Sequence, residues 1–123
     1  MPAQRILVVD DDPFIIRILS LAFDREGYET ITAVDGHEAM VKIRKLQPSV
    51  VFVDVMMPGK DGFQVCEEIR NDSSLTRQPY IIMLTARGMV TDQRRAELSG
   101  ADEYMTKPFR PSQLARHVRN ILE

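Results

Sequence analysis

The chain has 123 residues, 44% hydrophobic and 28% charged, with 16 Lys+Arg against 18 Asp+Glu for a formal net charge of -2. That is globular composition, long enough for one domain over residues 1–123 whose core needs no metal or disulfide staple, and the single Cys fits a reducing, cytoplasmic compartment. The near-neutral balance argues against a nucleic-acid-binding body, the longest apolar runs are too short to cross a bilayer, and the N-terminus does not read as a signal peptide.

In chain order, Arg5 to Asp10 is a short β-branched apolar run, the pattern of a strand buried on both faces. Asp12-Pro13 reads as an N-cap with Pro at the first helical position, Ile15, Ile18, Leu19 and Ala22 repeat at helical spacing, and Gly27 supplies the stop. A second strand fits Glu29 to Ala33, and after Asp35-Gly36 a helix with Ala39, Met40, Ile43 and Leu46 runs until Pro48. Val50 to Val53 is a third buried strand ending on Asp54. The turn-rich stretch from Met56 to Gly62 leads to a helix carrying Phe63, Cys66 and Ile69. Tyr80 to Leu84 is a fourth strand ending on Thr85, and a fourth helix covers Thr91 to Leu98 with Gly100 after it. Asp102 to Thr106 is a short fifth strand, then come Lys107-Pro108 and a last helix from about Pro111 to Leu122.

Strict strand–helix alternation predicts an α/β fold with parallel strands, right-handed crossovers and helices on both faces. For five such units the common strand order is 2-1-3-4-5, the flavodoxin-like arrangement, with a ligand-binding switch point beyond the carboxyl ends of strands 1 and 3. The unusual residues stand at those ends: Asp10, Asp11 and Asp12 after strand 1, Asp54 after strand 3, Thr85 after strand 4 and Lys107 after strand 5. Carboxylates converging in a shallow pocket repel one another, and a hard divalent cation with oxygen ligands, Mg²⁺, is the natural remedy. His37 and His117 are isolated, so no zinc cluster forms. A lysine beside a carboxylate and a metal makes a receptacle for a phosphoryl group, and an Asp carboxylate can itself be the nucleophile that accepts it. Asp54, a single acid at a strand end, suits that role; Asp10 and Asp11, as a pair, suit metal binding.

The stretches Ile6 to Asp12, Asp54 to Gly62, Leu84-Thr85-Ala86 and Gly100 to Phe109 together resemble the receiver domain of bacterial two-component response regulators, over essentially the whole chain. The resemblance implies a phosphoacceptor switch fed by a sensor histidine kinase or a phosphotransfer protein. Asp54 resembles the phosphoacceptor, Asp10 and Asp11 the acidic pair, and the main-chain carbonyl of Met56 the third protein ligand of Mg²⁺. Thr85 resembles the switch hydroxyl, Lys107 the lysine that pairs with the phosphoryl group, and Tyr104 the aromatic that moves inward when Thr85 is drawn to the phosphate. The Lys107-Pro108 bond is often cis in this family. The side chains of Met56 and Arg87 take the places that flank the path of a hydrolytic water, which implies slow self-dephosphorylation. The OmpR-like subfamily dimerises through helix 4, strand 5 and helix 5, and Arg94, Arg95, Asp102, Glu103, Arg116 and Arg119 place opposite charges on those elements; Gln113 and His117 depart from that subfamily's pattern.

Plainer roles fit several other residues. Asp12 and Asp61 suit helix caps or turns, Cys66 the core, the seven Met ordinary packing and His37 an exposed helix start. A Mg²⁺-dependent phosphatase with a nucleophilic Asp would want a second acid two residues on, where this chain has Met56. A phosphorylation-independent binding module would be expected to lack Asp54, Lys107 or the acidic pair, and all are present. Both a stand-alone regulator and a receiver joined to an output domain stay open, and nucleic-acid binding by this domain or membrane insertion is not expected.

Overall fold

A computed structural model of the chain describes residues 4–85 and 90–123. Ten elements alternate: β1 (Arg5–Val9), α1 (Pro13–Arg25), β2 (Glu29–Ala33), α2 (Gly36–Leu46), β3 (Val50–Asp54), α3 (Gly62–Arg70), β4 (Tyr80–Thr85), α4 (Val90–Ser99), β5 (Glu103–Thr106) and α5 (Pro111–Leu122). The strands form one parallel sheet in the order β2-β1-β3-β4-β5, as the alternation predicts.

Strand periodicity divides the core into two layers. Leu7, Val9, Val51, Val53, Ile81 and Met83 point to the face covered by α2, α3 and α4, where they meet Met40, Ile43, Phe63, Cys66, Ile69 and Ala96. Ile6, Val8, Val50, Phe52, Ile82 and Leu84 point the other way, onto Leu19 and Phe23 of α1 and Leu114, Ala115 and Val118 of α5. A strand covered on both faces has no solvent side to mark with polar residues, so its sequence reads as an unbroken apolar run.

Local chemistry sets the helix starts. The Asp12 carboxylate accepts the Phe14 N–H ahead of Pro13, and the Asp35 carboxylate accepts the Glu38 N–H. Asp61 and Gln64 form a reciprocal capping box on α3. The stops also match expectation: Gly27 adopts φ +85° after α1, a conformation costly for residues with a Cβ. Boundaries differ from the sequence reading by a residue where side chains take over backbone roles. The hydroxyl of Ser99 donates to the Arg95 carbonyl at the end of α4, and Asp102 accepts the Ile81 N–H with its carboxylate, so β5 starts at Glu103.

Candidate functional site

The carboxyl ends of β1, β3 and β5 meet at one rim. Asp10 follows β1 and is buried; its N–H donates to the Ala33 carbonyl (3.0 Å) and its Oδ1 accepts the Asp12 N–H (2.9 Å), which aims the carboxylate inward. Asp54 ends β3 opposite Leu84, is 6% exposed, and accepts the Met56 N–H on Oδ1 at 3.1 Å. Lys107 lies one residue past β5; its N–H donates to the Thr85 carbonyl (2.7 Å), and its Nζ reaches Asp10 Oδ2 at 3.0 Å and Asp54 Oδ2 at 3.3 Å. Asp11 is exposed at the mouth, and carboxylate oxygens of Asp10, Asp11 and Asp54 lie within 4.8 Å of one another.

Three carboxylates thus face one ammonium. Burial, and then the charge of Asp10, push the Asp54 carboxyl above its ordinary range, against the Met56 N–H and Lys107, which favour its charged form. Burial pulls the Lys107 ammonium down, but the hydrogen bond to Asp10 and the charges of Asp54 and Asp10 outweigh it and hold Lys107 protonated above its usual range. An all-oxygen donor set with surplus negative charge at a rim open to water is what a hard divalent cation requires, so the residues present fit Mg²⁺.

Two close backbone approaches shape the loop between Asp54 and α3. A Cβ at Gly62 would lie 2.6 Å from the Asp54 carbonyl oxygen, and the Gly62 N–H donates to the Val55 carbonyl (3.1 Å). A Cβ at Gly36, the first residue of α2, would lie 2.8 Å from the Lys60 carbonyl oxygen. The loop that carries Met56 is therefore braced from two sides. The Pro-Gly-x-Asp-Gly run signalled a turn, but the sequence reading gave Gly36 and Gly62 no part in the site.

The other expected residues divide. Thr85 is buried at the end of β4, beside Thr106 in register. Tyr104 on β5 packs against the α2–α3–α4 side of the core, and its hydroxyl is buried with no hydrogen-bond partner among the described residues. The expectation was that this ring turns inward on phosphorylation; here it already lies against the core. The Met56 side chain is 72% exposed, an exception to methionine as packing, and the Lys107-Pro108 bond is cis. Arg87 lies outside the described residues. Asp12 and Asp61 cap helices, Cys66 is buried and His37 is exposed, as expected.

Four of the six charges expected on the helix 4, strand 5 and helix 5 surface have partners inside the chain. Arg95 stacks over Phe63 (4.3 Å) and approaches Asp61 (4.0 Å), and Arg119 pairs with Glu26 on the α1 side (2.7 Å). Asp102 binds Arg70 (2.7 Å) and the Ile81 N–H (2.8 Å), while Glu103 binds His117 (2.5 Å) and the Tyr80 hydroxyl (2.8 Å). Arg116 lines the groove between α1 and α5, and Arg94 is exposed on α4.

Comparison with known proteins agrees with this fold. The family model for the response regulator receiver domain matches residues 6–119. A "Probable transcriptional regulator ycf27" of Porphyra purpurea is 47% identical over 119 residues, covering 97% of this chain and 47% of the relative. The "DNA-binding response regulator MtrA" of Mycolicibacterium smegmatis is 42% identical over 116 residues, covering 94% and 49%. The chain thus spans about half the length of the curated relatives it matches. Among solved structures, the chemotaxis response regulator CheY4 of Vibrio cholerae superposes with a TM-score of 0.88 at 31% identity, covering 98% of this chain and 99% of that one.

Proposed function

The chain belongs to the response regulator receiver domain family, and from that premise we propose that Asp54 is its phosphoacceptor and that a sensor histidine kinase or phosphotransfer protein is the donor. Response regulators are signalling proteins rather than conventional enzymes, so the chemistry of this chain is its own phosphoryl transfer and slow self-dephosphorylation, carried out in the cytoplasm. The observation that carries the reading is the Lys107 ammonium shared between Asp10 and Asp54, with Asp11 beside them.

An Asp54 oxygen attacks phosphorus in line, the new O–P bond forms as the donor's N–P bond breaks, and the histidine nitrogen keeps the bonding pair. Asp10, Asp11, Asp54 and the main-chain carbonyl of Met56 would hold Mg²⁺, which would supply positive charge to neutralise the phosphoryl oxygens. Lys107 exchanges its carboxylate contact for a phosphoryl oxygen, and the Thr85 hydroxyl donates to another. Movement of Thr85 favours the inward Tyr104 state and so shifts the population of α4/β5/α5 surface conformations read by a partner or an output domain. A heterotypic partner on that surface is better supported than an ion-paired homodimer, because most of the charges such a dimer would use are engaged within the chain. The Met56 and Arg87 side chains modulate the hydrolysis rate.

Intact-mass measurement after treatment with a small phosphodonor and Mg²⁺ tests the reading. Wild type gains one phosphoryl group; Asp54→Ala and chelator-treated wild type gain none. Undiminished labelling of Asp54→Ala overturns it.

A further inference from the structure

Among the described residues, exposure of oxidisable sulfur is uneven. Met40, Met57 and Met83 are 1%, 8% and 0% exposed, whereas Met56 is 72% exposed. Met105 is half-buried, so among the described residues Met56 is the one exposed methionine. The only thiol, Cys66, is buried in the core, and that burial pushes its pKa up to about 11, away from the thiolate form that attacks peroxide. Among the described residues, accessible sulfur is therefore concentrated two residues after the phosphoacceptor, on a residue whose own N–H is bonded to the Asp54 carboxylate at 3.1 Å.

We propose that Met56 is an oxidation site through which peroxide shortens the lifetime of the phosphorylated state. The inference rests on Asp54 as phosphoacceptor and on the Met56 side chain standing beside the path of the hydrolytic water. In the reaction the thioether sulfur attacks one oxygen of hydrogen peroxide. The O–O bond breaks, an S–O bond forms and water leaves; sulfur is oxidised by two electrons and peroxide is reduced. The thioether is apolar and a weak acceptor, whereas the sulfoxide is polar and carries a strong acceptor oxygen. At this position that oxygen holds a water near the phosphorus, where the thioether only screens it. Sulfoxide reductases reverse the change, so the mark is reversible like the phosphoryl group it controls.

The test has two arms. The full chain is titrated with dilute hydrogen peroxide, and the added oxygen is located by fragmentation of peptides, which separates Met56 from Met57. Met56 is expected to be oxidised before Met40, Met57 and Met83; oxidation of any of these first overturns the proposal. Peroxide-treated and untreated protein are then phosphorylated, and phosphate release is followed. Treated wild type is expected to lose phosphate several-fold faster. Met56→Leu should show no difference between treated and untreated samples, and Met56→Gln, which carries a fixed acceptor oxygen, should be faster than Met56→Leu without peroxide. Equal release from oxidised and untreated wild type overturns the proposal. If untreated protein takes up no phosphoryl group, the phosphoacceptor reading fails instead, and the order of oxidation still decides whether Met56 is the site.

Discussion

The Lys107 ammonium donates to the Asp10 carboxylate at 3.0 Å across 97 positions of sequence, tying the end of β5 to the end of β1. Asp10 is completely buried, so Lys107 is the main balance for its charge in the metal-free chain. Removing one member of such a pair leaves an uncompensated buried charge. Lys107→Met should therefore destabilise the metal-free protein by about 2–3 kcal/mol, below the range for fully buried pairs because Lys107 keeps some contact with water. Added Mg²⁺ should restore more stability to the variant than to wild type, since the cation replaces the lost charge. Urea unfolding with and without Mg²⁺ is the measurement; an equal Mg²⁺ increment in both proteins would contradict the idea.

Asp54 is held in a place that disfavours its charge, by burial first and by Asp10 second. Asp54→Asn removes that charge and retains an oxygen able to accept the Met56 N–H. The variant should be more stable than wild type without metal, by on the order of 1 kcal/mol, and should lose the phosphoryl acceptor altogether. Thermal unfolding in chelator, paired with a phosphodonor assay, checks both halves. A less stable Asp54→Asn would show that the carboxylate contributes more to the fold than its burial costs.

The strands were legible because helices on both faces leave no polar alternation, and three helix starts were legible because Asp12, Asp35 and Asp61 each cap one. The rim was legible because topology alone sends Asp10, Asp54 and Lys107 to the same edge of the sheet. The surface charges are less legible. Sequence locates Arg95 and Arg119 on helices but not the neighbour toward which each long side chain leans, and they lean to Phe63 and to Glu26. The role of Arg70 is illegible in the sequence for a related reason. It binds the Gly100 and Pro79 carbonyls, Gln78 and Asp102, acceptors from separate segments that share no motif.

Two glycines near the rim should respond differently to alanine. At Gly62 the new Cβ would meet the Asp54 carbonyl at 2.6 Å, and backbone on both sides cannot yield without moving the loop. Gly62→Ala should cost about 1–3 kcal/mol and weaken Mg²⁺ binding through displacement of Met56. At Gly59 nothing lies within 4 Å, and φ is +74°, so alanine meets only the left-handed strain of about 1–2 kcal/mol. Calorimetric Mg²⁺ titration of both variants discriminates: affinity should fall clearly for Gly62→Ala and little for Gly59→Ala.

The Tyr80 hydroxyl donates to Glu103 at 2.8 Å, and Glu103 also meets His117. Burial, then the hydrogen bond to Glu103, push the Tyr80 phenol up to about 12 from an ordinary value near 10. The folded state therefore favours the neutral phenol. Its contribution to stability is fully present below the ordinary tyrosine range and is lost as pH climbs through about 12. Tyr80→Phe should cost about 1–2 kcal/mol at neutral pH, where the bond to a carboxylate is intact. The gap between the variant and wild type should close on the alkaline side. Chemical unfolding as a function of pH is the check, and a gap that stays constant through the tyrosine range would exclude Tyr80 as its source.

Hydrolysis of an aspartyl phosphate needs water in line with phosphorus, opposite the leaving carboxylate. The residues two positions after Asp54 and after Thr85 are Met56 and Arg87, neither suited to activating that water. A thioether is a weak acceptor, and a guanidinium stays protonated and cannot serve as base. The backbone of Met56 is held by its N–H bond to Asp54, so a replacement there presents its functional group from the same anchor. Met56→Asn supplies an amide that can orient water, and Arg87→Glu supplies a carboxylate that can accept its proton. The double substitution should accelerate phosphate loss roughly tenfold, equivalent to about 1.4 kcal/mol in the barrier. Phosphate release from purified phosphoprotein over time measures it, with wild type expected to persist far longer than the variant. Wild-type decay within seconds that is unchanged by both substitutions would show that other groups govern access to the phosphorus.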